Sequence, residues 1–142
     1  LTLDLLQWFC GMPVSVISHG CNDTLKGVIE AEESQLGIFK LQNGGRFVMT
    51  ATNACAYSFP VTLMFKSEDT EAALIGDNIV VNGKFITKSD GLPLYGKEVW
   101  GAGHVKLIGE FYECLRKNRR FPLDYGEGKK VIELILAMYA SQ

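Results

Sequence analysis

Six side chains in this 142-residue sequence combine reactive or hydrogen-bonding groups with a setting that could present them to a ligand. His104 follows Gly101-Ala102-Gly103 at the start of a predicted helix, where an imidazole can both donate and accept hydrogen bonds. The structural alternative is a helix-start histidine bonded to local backbone. Asn53 and Tyr57 lie in TNACAYSFP, between two predicted strands. Loops at strand ends are common places for binding groups on a rigid scaffold. Turn chemistry for Asn53 and packing for Tyr57 are the alternatives. Tyr95 and Trp100, in LPLYGKEVWGAGH, offer aromatic faces to a ligand ring or to a neighbouring domain, or else pack within their own loop. Asp4 sits on the opening helix. It either orients groups beside it, as supporting carboxylates orient imidazoles, or faces solvent at the positive end of the helix dipole.

Other chemistries lack their residues. His19 is a lone histidine near a strand end. Cys10, Cys21, Cys55 and Cys114 show no CxxC spacing and no metal-ligand pattern, so they read as free thiols in a reducing, cytoplasmic setting. Glu30, Glu32 and Glu33 have no partner ligand set and read as a solvated strand edge that discourages edge pairing. No metal site is expected. No strand–GxGxxG–helix fingerprint is present, and Gly101 and Gly103 lack the surrounding βαβ unit. A net charge of −2 offers no basic field for nucleic acid or an anionic membrane. No apolar run approaches the roughly 18 residues of a membrane span, and LTLDLLQWFCGMP lacks the positive region of a signal peptide.

The elements that must position these residues follow from periodicity. Leu3, Leu5, Leu6 and Phe9 recur at near-helical spacing until Gly11 and Pro13. A helix open at residue 1 with no N-cap points to a domain cut from a longer chain. Val14, Val16 and Ser18 alternate with Ser15 and Ile17. Leu36 and Ile38 share one strand face and Phe39 and Leu41 the other, which predicts a central strand covered on both sides. Asn43-Gly44 predicts a tight type I′ turn, with a return strand from Arg46 to Thr52. Val61, Leu63 and Phe65 alternate with Thr62, Met64 and Lys66. Gly76-Asp77-Asn78 and Asn82-Gly83 bracket strands at Ile79 to Val81 and Lys84 to Thr87. Leu107, Ile108, Phe111 and Leu115 then form one helical face, closed by Asn118 to Arg120. Asp124 and Glu127 read as a capping pair before a stripe of Val131, Leu134, Ile135 and Met138. Strands followed by helices predict one α+β domain over residues 1–142: an open, mostly antiparallel sheet with helices on one face. The other face would expose Val48 and Met64 in a monomer and so predicts self-association, as a homodimer or higher oligomer.

Three stretches resemble one family in the right order. They are LTLDLLQWFCGMPVSV, then GVIEAEESQLGIFKLQNGGRFVMTATNACAYSFPVTLMF, then GHVKLIGEFYECLRKNRRFPLDYGEGKKVIELILAMYAS. The chain resembles the C-terminal domain of the Gfo/Idh/MocA oxidoreductases over nearly its whole length. The resemblance implies a two-domain enzyme. Its first half is a Rossmann domain that holds NAD or NADP, and its second half covers the substrate and commonly mediates oligomerisation through its sheet. On that basis the chain's partners are its own N-terminal Rossmann domain and further copies of itself, with no nucleic acid and no membrane.

The family carries an Asp and, four residues on, a His that serve proton transfer. An Asp three residues after that His is matched by Asp4, so the His position falls on Leu1. The catalytic residues, including the family's lysine, are then expected upstream of Leu1, or this branch has lost its histidine. The implied activity of the full-length parent is hydride transfer between a nicotinamide and a carbinol of a sugar, inositol or related polyol. The 142-residue piece alone would be inactive and bind no cofactor. His104, Tyr57, Asn53, Tyr95 and Trp100 would contact substrate, with Asp4 in support. The alternative is a non-catalytic binding or oligomerisation module of the same fold.

Overall fold

A computed structural model describes residues 2–57, 59–76, 78–87 and 103–142. The chain forms two compact units, one of residues up to 59 together with 125–142, the other of residues 60–124.

The first unit is a three-stranded antiparallel sheet with two helices. Helix α1 (Thr2–Cys10) buries Leu3 and Leu6, one turn apart, and ends where Gly11 takes φ +76 and returns its N–H to the Gln7 carbonyl at 3.0 Å. Strands β1 (Ser15–Cys21), β2 (Ser34–Lys40) and β3 (Arg46–Thr52) pair in the order β1-β2-β3. The register sets Val16 and Phe47 beside Phe39, and sets Ile17 and Val48 beside Ile38. Because side chains alternate across a sheet, these rows lie on opposite faces. The Phe39 row faces the core, which gathers Phe39, Leu41 and Met49 of the sheet with Leu3 and Leu6 of α1 and with Leu134 and Met138 of α3 (Tyr125–Ala140). Burying each of these side chains stabilises the unit by roughly 1.5–3 kcal/mol. The stripe read from the sequence of α3 is the packed one, with Val131 and Ile135 at its margin. Ser18, buried in β1, donates its hydroxyl to the Met138 carbonyl at 2.6 Å and ties the end of α3 to the sheet.

Three expectations change here. The central strand β2 is covered on one face only: Phe39 is fully buried, whereas Leu36 and Ile38 are each 42% exposed. Both helices of the unit share its single core, so the apolar residues on the other face have no cover within it. The Asn43-Gly44 turn is not type I′, because only Gly44 has positive φ (+85). The Gly44 N–H reaches the Leu41 carbonyl and the Leu41 N–H reaches Gly45, so a turn with a left-handed fourth residue makes a longer loop. Finally, among the described residues the strands pair as two sheets rather than as one continuous sheet.

The second unit holds the other sheet, an antiparallel meander in the order β4-β5-β6-β7. Its strands are β4 (Thr62–Lys66), β5 (Glu71–Ile75), β6 (Asn78–Val81) and β7 (Lys84–Thr87). Asn82 and Gly83 both take positive φ, +48 and +76, which is the two-residue hairpin geometry this pair favours. Strand β5 carries no strand signal in the sequence, since Glu, Ala and Leu favour helix; pairing on both sides overrides that preference. Leu63 is buried and Met64, its neighbour on the opposite face, is exposed. Helix α2 (Gly103–Arg116) closes with Asn118 at φ +48, while the N–H groups of Arg119 and Asn118 reach the carbonyls of Cys114 and Leu115. This is a Schellman ending with Asn in the place usually taken by Gly. The expected stripe of α2 is not buried: Leu107, Ile108, Phe111 and Leu115 are all exposed, and Cys114 is the buried residue of the helix.

Candidate functional site

A hydrogen-bonded polar constellation in the first unit surrounds Glu33, at the entry to β2. The sequence places Glu33 in a run of acids, but the structure buries it. Its carboxylate accepts hydrogen bonds from the backbone N–H groups of Asp23 (3.2 Å), Thr24 (3.0 Å) and Leu25 (2.5 Å). The bond from Thr24 is the largest influence on Glu33 and, with those from Leu25 and Asp23, holds its carboxyl below the usual range against the opposing effect of burial. Asn22 braces the same loop by donating its amide to the Ile29 and Ala31 carbonyls, each at 2.8 Å. Glu32 accepts a hydrogen bond from the Tyr139 hydroxyl at 2.6 Å, which raises the tyrosine pKa. The solvated-edge reading of Glu30, Glu32 and Glu33 is therefore corrected. Glu33 anchors the loop, Glu32 anchors α3, and Glu30 alone stays a plain surface acid. Sequence reading missed this because the donors lie eight to ten residues away and are backbone groups.

The anchor reaches one of the predicted ligand residues. The Asn53 N–H donates to the Glu33 carbonyl at 2.7 Å, which fixes Asn53 at the end of β3 with its side chain exposed. Thr52 steadies the same turn: its hydroxyl pairs with Ser34 at 2.7 Å and accepts the Ala54 N–H at 3.0 Å. Tyr57, four residues on, is 79% exposed and is not packed. Asp4 is half-buried in the first turn of α1, one turn before Gln7, whose buried amide nitrogen has no partner among the described residues. His104 belongs to the second unit and is exposed in the first turn of α2. Tyr95 and Trp100 lie outside the described residues.

Asn53 and Tyr57 present donors and acceptors at one strand end, and His104 does so at a helix start. Among the described residues no group of three His, Cys, Asp or Glu side chains could hold a metal ion. Burial pushes the Cys10 thiol up; burial, followed by the neighbouring Asp23 carboxylate, does the same for Cys21. Neither is an activated thiolate. A nicotinamide dinucleotide does not fit the described residues either. Its pyrophosphate is cradled between a parallel strand and a helix N-terminus, and every strand pair here is antiparallel. Among the described residues no helix is long and apolar enough to cross a membrane.

No family model matches the sequence, and no curated protein matches it. Solved structures do match its fold. An oxidoreductase from Agrobacterium radiobacter, solved with NAD+, L-tartaric acid and magnesium, superposes with a TM-score of 0.82 at 16% identity, over 99% of this chain and 44% of that one. UDP-N-acetylglucosamine 3-dehydrogenase from Acidithiobacillus ferrooxidans gives 0.75 at 15% identity, over 99% and 44%. The WlbA dehydrogenase from Bordetella pertussis, in complex with NADH and UDP-GlcNAcA, gives 0.71 at 21% identity, over 99% and 40%. The chain spans less than half the length of each of these proteins. Its fold is shared with a part of each of these oxidoreductases.

Proposed function

We propose that this chain is the substrate-side domain of an NAD- or NADP-dependent oxidoreductase that acts on a sugar, an inositol or a related polyol. The observation that carries the reading is the superposition of 99% of the chain on 44% of an oxidoreductase solved with NAD+, at a TM-score of 0.82. In this reading a separate dinucleotide-binding domain holds the nicotinamide, which exchanges the hydride, and residues of that domain and its junction handle the proton. The present chain supplies hydroxyl-binding groups. Asn53, held by Glu33, and Tyr57 serve from the end of β3, and His104 from the start of α2. Tyr95 and Trp100 are proposed as further substrate contacts, with Asp4 in a supporting role. The chain also holds copies together through the open face of the β1–β3 sheet. The setting is cytoplasmic.

Substitution in the complete enzyme tests the assignment. Asn53→Ala and His104→Ala should each raise KM for the sugar roughly three- to tenfold, the worth of one hydrogen bond, and leave KM for the dinucleotide unchanged. A change confined to the dinucleotide KM, or no change in either constant, would remove these residues from the substrate surface.

A further inference from the structure

Asparagine serves the loops of this chain structurally in two ways, and Asn53 does neither. The Asn43 amide oxygen accepts the Gly45 N–H at 3.0 Å, and the Asn82 amide oxygen accepts the Glu71 N–H at 2.8 Å from a residue at φ +48. Side-chain bonds to backbone and tolerance of the left-handed region are what favour asparagine in turns. Asn53 lies outside the left-handed region, and its exposed side-chain amide makes no hydrogen bond among the described residues. Its neighbours build the turn instead. Thr52 is the last residue of β3, beside Ser34 on the sheet face away from the core. Its hydroxyl has one proton and two lone pairs, so it serves the Ser34 hydroxyl at 2.7 Å and the Ala54 N–H at 3.0 Å together. Between those two bonds the Asn53 N–H reaches the Glu33 carbonyl at 2.7 Å. Three successive residues are each held once, and none of the bonds uses the Asn53 side chain.

We infer that Thr52 is a positioning residue for substrate binding: its hydroxyl shapes the turn in place of the Asn53 amide and so leaves that amide unspent for a substrate hydroxyl. The inference rests on the substrate contact proposed above for Asn53 and adds the residue that makes the contact effective. An amide on a loose turn binds weakly, because the ligand must order its backbone, at a cost of roughly five- to thirtyfold in affinity for one residue. A turn bonded at three successive residues is ordered on folding, so the ligand meets the amide in place. Threonine suits the position because its β-branched side chain is stiff at χ1, which lets the strand backbone aim the hydroxyl. Valine keeps that shape and removes only the hydroxyl. The role also sets a ceiling. Thr52 acts through Asn53, so losing its hydroxyl costs no more than losing the Asn53 amide itself.

A double-mutant cycle in the complete enzyme tests this, read as KM for the sugar, inositol or nucleotide sugar that the enzyme turns over fastest. Thr52→Val should raise that KM roughly two- to fivefold, no further than Asn53→Ala does, and leave KM for the dinucleotide unchanged. Thr52→Ser keeps the hydroxyl and should restore the wild-type KM. In the Asn53→Ala background, Thr52→Val should add nothing, because the amide it positions is gone. Circular dichroism verifies that each variant is folded. Ser34→Ala removes the second partner of the Thr52 hydroxyl; it should raise KM by a smaller factor, and it stands in if Thr52→Val does not fold. A wild-type KM for the variant that lacks the hydroxyl or its partner, beside an impaired Asn53→Ala, overturns the positioning role and leaves the substrate contact standing. So does a full extra loss in the Asn53→Ala background, which marks a role independent of the amide, or a Thr52→Ser as poor as Thr52→Val. An Asn53→Ala without effect overturns the substrate contact, and the positioning role with it.

Discussion

Gly37→Val should weaken the first unit by about 2 kcal/mol, and the size of that effect follows from what lies over the central strand. A Cβ at Gly37 would sit 3.0 Å from the Met138 methyl and 3.0 Å from the Phe39 ring. Phe39 is fully buried and cannot yield, whereas Met138 is a flexible side chain whose end can shift. Replacing a strand glycine lowers the entropy of the unfolded chain and returns about 0.5–1 kcal/mol. Forcing extra methyl groups into a packed core costs about 1–3 kcal/mol. The two nearly cancel for Gly37→Ala, which should be close to neutral. Valine adds two further methyl groups, so the cost prevails. Met138→Ala alone should cost about 2–5 kcal/mol through the cavity it leaves. Combined with Gly37→Val, the cavity is refilled, and the pair should fall short of additivity by at least about 1 kcal/mol. Urea unfolding reads all four proteins, with a midpoint shift near 1 M for the valine variant. Strict additivity, or a stabilising Gly37→Val, would refute the packing of α3 on this face and, with it, the assignment of the opposite face as the open one.

Glu33→Gln should destabilise the protein at neutral pH. The folded-state pKa of Glu33 is lowered, so its contribution is complete above the unfolded carboxyl value and is lost as pH falls through the folded one. The gap between wild type and variant should therefore close in acid; a gap that is constant or widens in acid counts against the backbone anchor. The isolated chain should show no micromolar binding of NAD+ or NADP+ by calorimetry, because the described sheets are antiparallel and supply no phosphate-cradling turn; a clear binding isotherm would contradict that reading. All four thiols should titrate in denaturant without reductant, given that Cys10, Cys21, Cys55 and Cys114 are unpaired, and a count below four would show a bridge.

Sequence patterning located most elements where residues act through their own neighbours. Arg46 to Thr52 and Lys84 to Thr87 are strands with the expected bounds, and Val131, Leu134, Ile135 and Met138 face the core as their spacing requires. What stayed hidden depends on partners distant in the chain. The β5 segment Glu71–Ile75 is extended because β4 and β6 flank it, not because its residues prefer extension. Apolar residues on both faces of β2 could not reveal that only one face is covered by α1 and α3. Likewise the α2 stripe is helical in spacing yet exposed, since periodicity reports an amphipathic face without reporting its cover. Asn53 is legible in the sequence as a strand-end residue, but the Glu33 carbonyl that holds its backbone is not. Tyr57 and His104 are both exposed, a property that their positions in a strand-end loop and at a helix start foreshadow.

The most direct test of the central claim is sugar-dependent reduction of NAD+ or NADP+ by the protein that carries this chain together with a dinucleotide-binding domain. The assay follows reduced nicotinamide across a panel of free sugars, inositols and nucleotide sugars. Reduction that depends on at least one of them, with none from the 142-residue chain alone, is the predicted result. Turnover by the chain alone, or a complete protein that binds dinucleotide yet reduces it with no member of the panel, would contradict the account.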